Sequence, residues 1–371
     1  MSGPLKLLAL SPVPAEGAGC RFRVMQYVPA LEQAGFSVTV APFFDAAFFD
    51  LVYKPGRYVE KFGAFVRRSV ERLKLLMSRD DYDAFFIYRE AYPFGPALFE
   101  ALLSHAPGRP IVYDFDDAIF LNNSSEANQF ASALKYPQKV AAIIRRSALV
   151  LAGNEYLADY ARAYNANVRV LPTCVDTNVF VPRRTPRPAA DPQIVGWIGT
   201  PTTATYLKSL GPSFSRLALR HAFELRVSGS GAPLEFDGVK TTNEKWLLAR
   251  EVELFNTCDI GVYPLRDDEW EKGKCGFKAI QFMACGVPVV AAAVGVNRDI
   301  IQDGVNGFLA STQQEWDEKI GRLLGDAELR HRLGAAGRRA IEERYSLAVN
   351  APALTSMLRD VTDRARQERA A

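Results

Sequence analysis

The sequence lacks the features that would place a chain across a membrane, around zinc or in an oxidising compartment. No apolar run approaches the ~18 residues of a membrane-spanning helix. Only five of the 371 residues are cysteine, and no two have CxxC spacing, so neither a zinc knuckle nor a disulfide framework is predicted and a reducing compartment fits. The first apolar stretch, Leu7 to Leu10, is too short for a signal peptide and is better interpreted as a strand. One sign of charge hardly outweighs the other: the net charge of +3 does not by itself imply nucleic acid.

The composition is that of an ordinary globular protein, and the length favours two domains. Hydrophobic residues make up 48% and charged residues 23%, which excludes disorder and coiled coil. The strand Leu5–Leu10, the loop Gly17–Gly19, a helix over Phe22–Leu31 ending at Gly35, and the strand Ser37–Ala41 form a βαβ unit. This order predicts a parallel sheet. Further strands are predicted at 84–88, 111–115, 148–152 and 168–171, and then at 194–198, 224–227, 259–263, 287–291 and 307–309.

A proline-rich stretch separates the two series of strands. Residues 182–192 read PRRTPRPAADP, a composition typical of a linker. We therefore predict an N-terminal domain over 1–181, a C-terminal domain over 193–345, and a terminal helix over 346–371 that could pack back on the N-terminal domain. Both domains are expected to be doubly wound α/β units that face a central cleft, because ligands bind at the carboxyl ends of the strands in this fold class.

The stretch 259–309 carries the most chemistry. A strand is followed by a charged loop, and Gly273-Lys274-Cys275-Gly276 leads into a helix at Phe277. Glycines permit close backbone approach, a helix N-terminus offers N–H groups, and Lys274 and Lys278 add positive charge, which together suit a diphosphate. The alternative is a solvated loop with lysines at a helix start.

The same stretch resembles the C-terminal signature of the retaining glycosyltransferases of family 4, the glycosyl transferases of group 1, which have the GT-B fold. The resemblance continues in FFIYREAYPFGP (85–96), VYDFDDAIF (112–120), LAGNEYLADYA (151–161), LPTCVDTNVF (171–180), VGWIGTPTTATYL (195–207) and RLGAAGRRAIEERYS (332–346). It implies transfer of a sugar from a nucleotide-diphosphate sugar with retained anomeric configuration, usually without a metal, and with no cofactor.

The sequence departs from the family at charged positions. Most members carry two glutamates, the first on the donor sugar and the second on the ribose, where this chain has Gly273 and Gln281. Many also use an arginine and a lysine on the diphosphate, at the positions of Trp197 and Thr202. We expect Gln281 to contact the ribose. We expect Lys274, Lys278 and Arg226 to supply the missing positive charge at the diphosphate, with Lys278 acting in catalysis.

The remaining donor contacts are carried over from the family's glycine loops and from the turn after a late strand. For that turn, 295–298, an ordinary structural role is the alternative. The predicted contacts are Gly19, Gly199, Thr200, Gly229, Gly276, Phe277, Val296 and Asn297.

Two groups in the N-terminal half are predicted to serve the acceptor. Arg21 and Arg23 follow the first glycine loop, and surface charge is their alternative. Arg89-Glu90 ends one strand and Asp116-Asp117 follows another. We expect Asp116 or Asp117 to act in catalysis, by contacting an acceptor hydroxyl or by pairing with Arg89, in preference to a metal–diphosphate site of the D-x-D kind. Arg89-Glu90 could equally be a structural ion pair.

Residues 54–79 form a basic amphipathic segment. They contain eight Lys or Arg and two Glu, and the apolar residues from Phe62 to Met77 follow helical spacing. Such a helix can lie on an anionic membrane surface; the alternative is a helix that packs its apolar face on the sheet. We expect a cytoplasmic protein, at most peripheral on the inner face of the membrane, with no nucleic-acid partner.

These observations predict a retaining glycosyltransferase acting on a glycan, a glycolipid or another hydroxyl acceptor in cell-surface polysaccharide or glycoconjugate synthesis. Two alternatives stay open. A sugar-nucleotide epimerase shares the architecture, and a non-catalytic nucleotide- or carbohydrate-binding protein would explain the missing glutamates.

Overall fold

A computed structural model describes residues 3–370, apart from 53, 55, 122–135, 137 and 186–190. The chain divides into two compact units, Met1–Thr173 together with Asn350–Ala371, and Cys174–Val349. The division falls before the predicted linker, so the domain bounds of 181 and 193 are displaced. The start of the proline-rich stretch belongs to the second unit, where Arg183 pairs with Asp259 at 2.6 Å. Residues 186–190 of that stretch lie outside the described residues.

The first unit contains a six-stranded parallel sheet with strand order β2-β1-β3-β4-β5-β6. Strands β3 and β4 are buried along their whole length, as strands covered on both faces must be. All predicted strands of this half are present within one or two residues. The strands are β1 Leu5–Ser11, β2 Phe36–Pro42, β3 Ala84–Tyr88, β4 Ile111–Phe115, β5 Leu149–Ala152 and β6 Val168–Val170.

The predicted helix Phe22–Leu31 is broken in two. A 3-10 turn at Met25–Tyr27 separates two short helices, and Pro29 lies in the first turn of the second, where a missing N–H is tolerated. Gly35 follows with a φ of 88°, as expected after a helix end. The helices of this unit are α1 Ala18–Arg23, α2 Val28–Gln33, α3 Ala46–Val52, α4 Tyr58–Met77, α5 Leu98–Ser104, α6 Gln138–Arg146 and α7 Glu155–Arg162.

The second unit contains another six-stranded parallel sheet, with order β12-β11-β10-β7-β8-β9. Its edge strand β9 reads KTTNE and is largely open to solvent, so the sequence offered no apolar pattern from which to predict it. The strands are β7 Gln193–Ile198, β8 Phe223–Ser228, β9 Lys240–Glu244, β10 Ile260–Tyr263, β11 Val289–Ala292 and β12 Phe308–Ala310.

Helices cover both faces of this sheet as well. The bounds are α8 Ala204–Lys208, α9 Gly211–Ala218, α10 Glu251–Asn256, α11 Glu269–Lys272, α12 Phe277–Ala284, α13 Asn297–Ile300, α14 Gln313–Gly325, α15 Ala327–Arg344 and α16 Leu347–Ala370. Helix α16 contributes its residues from Asn350 onward to the first unit. The two sheets confirm the predicted doubly wound α/β class.

The strand orders locate the expected binding edges. Strand order reverses between β1 and β3 in the first sheet and between β7 and β10 in the second. In doubly wound sheets, ligands bind beyond the carboxyl ends of the strands at such switch points. The loops after these four strands are therefore the places where the predicted residues should converge.

Among the described residues, no helix combines the length and the apolar character needed to cross a membrane.

Candidate active site

The first switch point carries an arginine held between two aspartates. Arg89 directly follows β3 and has a φ of 59°, a backbone conformation that non-glycine residues rarely adopt. Its guanidinium donates to Asp116 at 2.9 and 2.7 Å and to Asp117 at 3.4 Å. The Tyr88 hydroxyl donates to the same Asp116 oxygen at 2.8 Å. The structure thus brings the predicted Arg89, Asp116 and Asp117 together. It adds Tyr88, for which the sequence pattern predicts only a strand position.

The first glycine loop lies directly against this cluster. A Cβ added to Gly19 would come within 2.2 Å of the Tyr88 hydroxyl oxygen. No side chain fits there without displacing the tyrosine that supports Asp116. The glycine is therefore required by close approach to Tyr88, which is a physical reason that the sequence alone did not give.

Asp116 and Asp117 differ in their electrostatic environment. Burial raises the pKa of Asp116, but the nearby charges of Arg89 and Arg23 outweigh burial and leave that pKa below its ordinary value. Asp117 has a buried Oδ1 with no hydrogen-bond partner among the described residues. A buried acceptor oxygen of this kind can accept a hydrogen bond from a hydroxyl group of a ligand.

Glu90 belongs to a buried ionic group next to this cluster. Lys139 lies 3.4 Å from Glu90 and 3.6 Å from Glu100, and both Lys139 and Glu100 are almost completely buried. Burial raises the pKa of Glu90 to about 7, against the opposing effect of Lys139. The arrangement favours the structural ion pair that the sequence left open for Glu90.

The two arginines after the glycine loop differ in burial and in their partners. Arg23 is 1% exposed and forms a two-pronged pair with Asp114, with a further bond to the Leu171 carbonyl at 2.8 Å. Its prediction as an acceptor contact is wrong because its donors are consumed inside the unit. Arg21 remains partly exposed and donates to the carbonyls of Ala15 and Glu16, so it braces its own loop.

The predicted glycines after β7 and β8 lie against one another in the second unit. Gly229 has a φ of 85°, and a Cβ there would come within 2.3 Å of the Gly199 carbonyl oxygen. The Thr200 hydroxyl lies 2.9 Å from that of Thr202 and 3.2 Å from that of Thr203. These loops present hydroxyl groups beside an approachable backbone, as a phosphate site needs.

The loops before α12 and α13 also meet. Gly276 has a φ of 63°, and a Cβ there would come within 2.3 Å of Ile300 and 3.0 Å of the Asn297 side-chain oxygen. Asn297 is fully buried and donates to the Ala292 carbonyl at 2.9 Å. The structure therefore brings the predicted Gly276, Phe277, Val296 and Asn297 to one place.

Gln281 is engaged inside the unit. It is fully buried, it accepts a hydrogen bond from Lys278 at 2.8 Å, and it donates one to Glu251 at 3.2 Å. It does not offer its amide to a ribose, contrary to the prediction. Lys278 is only partly buried and lies above the Phe255 ring, at the start of α12.

Arg226 is likewise committed. It pairs with Glu224 at 3.2 Å and with Glu244 at 3.3 Å, across the strands β8 and β9. Lys240 and Arg250 share these two carboxylates, so Arg226 is part of a charged network across β8 and β9, and its contact with the diphosphate stays a prediction.

Lys274 belongs to a group that the sequence did not reveal. Its ammonium lies 3.9 Å from Glu271, and the hydroxyl of Tyr206 donates to Glu271 at 2.6 Å. Glu271 was one of several acids in a charged loop, and nothing in its spacing distinguished it. Its burial on α11 is visible only in the folded unit.

No group of three or more His, Cys, Asp or Glu residues able to hold a metal ion occurs in the part of the chain that the structure describes.

Comparison with known proteins identifies the second unit. Residues 193–326 match the family model of the glycosyl transferases group 1, which spans the loops after β7, β8, β10 and β11. This segment of the second unit is therefore similar to the glycosyl transferases of group 1. This confirms the family resemblance that the motifs predicted.

The curated relatives of the chain match it over only part of their length. The D-inositol 3-phosphate glycosyltransferase of Xylanimonas cellulosilytica is 29% identical over 246 residues, 58% of each chain. That of Stackebrandtia nassauensis is 30% identical over 212 residues, 49% of this chain and 46% of the relative. The chain thus spans about half the length of the curated relatives it matches.

Solved structures match almost the whole chain. A sucrose-phosphate synthase from Thermosynechococcus elongatus has a TM-score of 0.70 at 18% identity, covering 97% of this chain and 99% of the other. Anabaena HepE, in complex with UDP and glucose, has a TM-score of 0.69 at 16% identity, covering 96% and 100%. At these identities the likeness establishes the fold, which is GT-B as predicted.

Proposed function

We propose that the chain is a retaining glycosyltransferase that moves a sugar from a nucleotide-diphosphate donor to a hydroxyl acceptor. The observation that carries the proposal is the contact of Gly276 with Asn297 at the start of α12, whose first turn carries Lys278, inside the segment that matches the group 1 family. The curated relatives named as inositol phosphate glycosyltransferases and the neighbour described with UDP and glucose support it.

The chemistry needs stabilisation of a leaving group. Departure of a nucleotide diphosphate develops negative charge, which fixed cations and oriented N–H groups stabilise without reorganisation. In this proposal Lys274 and Lys278 supply the charge, the first N–H groups of α12 supply the dipoles, and no cofactor enters. The leaving phosphate accepts the proton of the acceptor on the same face, as the family resemblance implies.

The acceptor is assigned to the first switch point. The buried Oδ1 of Asp117 accepts a hydrogen bond from the acceptor hydroxyl, while Arg89 and Tyr88 hold Asp116 in place. Cell-surface glycans and glycolipids fit this proposal as acceptors that present hydroxyl groups.

A binding screen tests the donor. Nucleotide diphosphates and their sugars should raise the unfolding temperature, since a ligand bound only by the folded state adds RT ln(1 + [L]/Kd) to stability. Lys278→Met should abolish most of this shift, whereas Lys240→Met, an exposed lysine on β9, should not. Equal shifts for both variants would contradict the role of Lys278.

Product analysis separates the rival enzymes. Transfer to an added acceptor, with full activity in EDTA, supports the proposal. Release of an altered sugar without an acceptor would establish an epimerase, and binding without turnover would establish a non-catalytic protein.

For location, we propose that α4 docks the chain on an anionic membrane surface. Its inner side is anchored: Leu76 and Arg72 are buried, and Arg72 donates to the Ala41 carbonyl at 3.0 Å. A second apolar row faces solvent, with members three or four residues apart and 43 to 86% exposed, which are Val59, Phe62, Val66, Val70, Leu73 and Met77.

The charge beside this row argues for lipid over protein. Exposed Arg67 and Lys74 lie seven residues apart along one edge of the row, and helix geometry places such residues on the same face. A basic edge beside an exposed apolar row is the pattern of interfacial helices.

Vesicle sedimentation tests this surface. Phe62→Glu with Leu73→Glu should lower partitioning onto anionic phospholipid vesicles about tenfold or more, while Leu219→Glu, at a site 87% exposed in the second unit, should leave it unchanged. Partitioning that ignores anionic lipid would overturn the proposal. If the unchanged chain is a dimer and the α4 variant is a monomer, the exposed row is instead a contact between two copies of the chain.

A further inference from the structure

Two loops at the second switch point are joined by one hydrogen bond. Tyr206 lies on α8, which follows β7, and Glu271 lies on α11, which follows the neighbouring strand β10. The Tyr206 hydroxyl donates to Oε1 of Glu271 at 2.6 Å. The Glu271 side chain is 1% exposed, so the bond is shielded from water and fixes the two loops relative to each other.

The other oxygen of Glu271 faces a cation. Oε2 lies 3.9 Å from the Lys274 ammonium, and that ammonium lies 5.9 Å from the centre of the Trp270 ring. Asp268 begins α11 by accepting from the Glu271 backbone N–H at 2.9 Å, which fixes the carboxylate-bearing turn. Glu271 is thus held from both its backbone and its side chain before it meets Lys274.

Such an arrangement suits a lysine whose side chain is ordered before a phosphate group binds. A lysine side chain loses much rotamer freedom when it is ordered, and groups already ordered in the unbound protein lose less on binding. The exposed guanidinium of Arg266 stacks on the Tyr206 ring, with 5.3 Å between its central carbon and the ring centre. The same tyrosine therefore contacts a second cation.

We propose that Tyr206 and Glu271 are positioning residues that hold Lys274 for the diphosphate of the donor. The inference rests on the proposed function and deepens it: it names residues outside the family's glutamate positions that organise the charge at this edge. It also states which part of the donor is affected, because Lys274 would act on phosphate charge and not on the base or ribose.

The test compares diphosphates with monophosphates. Affinities of the full chain for UDP, GDP and ADP and for UMP, GMP and AMP are measured by calorimetry. Tyr206→Phe should weaken the preferred diphosphate about three- to tenfold, the value of one hydrogen bond, and should change the monophosphate of the same base less than about twofold. Glu271→Gln, which cannot pair with the ammonium as a charge, should act in the same direction.

Two controls separate positioning from folding. Tyr345→Phe removes a hydroxyl from a buried tyrosine of the same unit and should leave both affinities unchanged. In a Lys274→Met background, Tyr206→Phe should have no further effect on the diphosphate, because coupled residues are not additive.

Each outcome decides the inference. Equal losses for diphosphate and monophosphate, or a loss that persists in the Lys274→Met background, would overturn it while leaving the proposed function standing. Failure of the unchanged protein to bind any of the three diphosphates would overturn the proposed function and this inference together.

Discussion

Replacing Asp114 with asparagine should destabilise the first unit more than most single substitutions do. Asp114 is fully buried and Arg23 is 1% exposed. The two form a two-pronged ion pair. Asparagine has nearly the same shape as aspartate, so the change removes charge and leaves the volume of the site unaltered.

The expected cost follows from what is left behind. Arg23 keeps its bonds to Leu171 at 2.8 Å and to Thr173 at 3.3 Å, but its buried charge would lose the carboxylate that it pairs with directly and would keep only the coulombic attraction of Asp116. Removing one partner of a buried ion pair typically costs about 3–5 kcal/mol. Arg23→Met with Asp114→Leu removes both charges, and that double variant should cost less than Asp114→Asn alone, since an apolar pair of similar volume is tolerated.

The measurement is urea unfolding, monitored by a separate spectroscopic probe in each unit, because a chain of two units need not unfold in one step. A loss below about 1 kcal/mol for Asp114→Asn would show that water reaches the pair and would refute the reasoning from burial. A double variant less stable than the single one would refute it independently, because the penalty would then come from lost packing.

Three further substitutions follow from the contacts. Gly276→Ala should cost about 1–3 kcal/mol, since the added Cβ meets Ile300 at 2.3 Å on a backbone with positive φ; an unchanged melting temperature would contradict this. Glu90 has a pKa of about 7 in the folded chain, raised from 4.5, so folding favours its protonated form and the free energy of unfolding falls by up to about 3 kcal/mol as pH rises from 4.5 to 7. Urea unfolding of Glu90→Gln at pH 5 and pH 8 should show little of this pH-dependent loss of stability. If the variant loses as much stability as the unchanged chain, another group causes the loss. Gln281→Glu, which restores the usual family residue, should destabilise the second unit by about 1–3 kcal/mol at pH 8 because Glu251 lies 3.2 Å away; thermal unfolding with and without Glu251→Gln should show the loss relieved in the double variant.

The fold was predictable where burial leaves a mark on the sequence. Strands buried on both faces, such as Ala84–Tyr88 and Ile111–Phe115, appear as uninterrupted apolar runs, and their bounds agree with the structure. Strand β9 left no such mark because it lies at an edge. The helix predicted over Phe22–Leu31 failed for a local reason, since its apolar spacing continues through the 3-10 turn and Pro29 begins a new helix.

The site was predictable as a set of loops but not as a set of partners. Gly19, Gly199, Gly229 and Gly276 all prove to be places where backbone meets another chain segment. Charged residues fared worse, because spacing does not reveal whether a charge is consumed inside the fold. Arg23 was predicted as an acceptor contact and is instead a buried partner of Asp114.

The charges that remain near the two switch points differ in kind. At the first, Asp116 and Asp117 surround one arginine, and a buried aspartate oxygen is left to accept a hydrogen bond. At the second, Lys274 and Lys278 lie at a helix start. The Tyr206 hydroxyl donates a hydrogen bond to Glu271, the carboxylate that faces Lys274. A hydroxyl-bearing acceptor needs a hydrogen-bond acceptor, and a diphosphate needs cations and N–H groups. The contrast favours assigning acceptor recognition to the first unit and donor recognition to the second, and under our proposal side chains outside the family motif compensate for the missing glutamates.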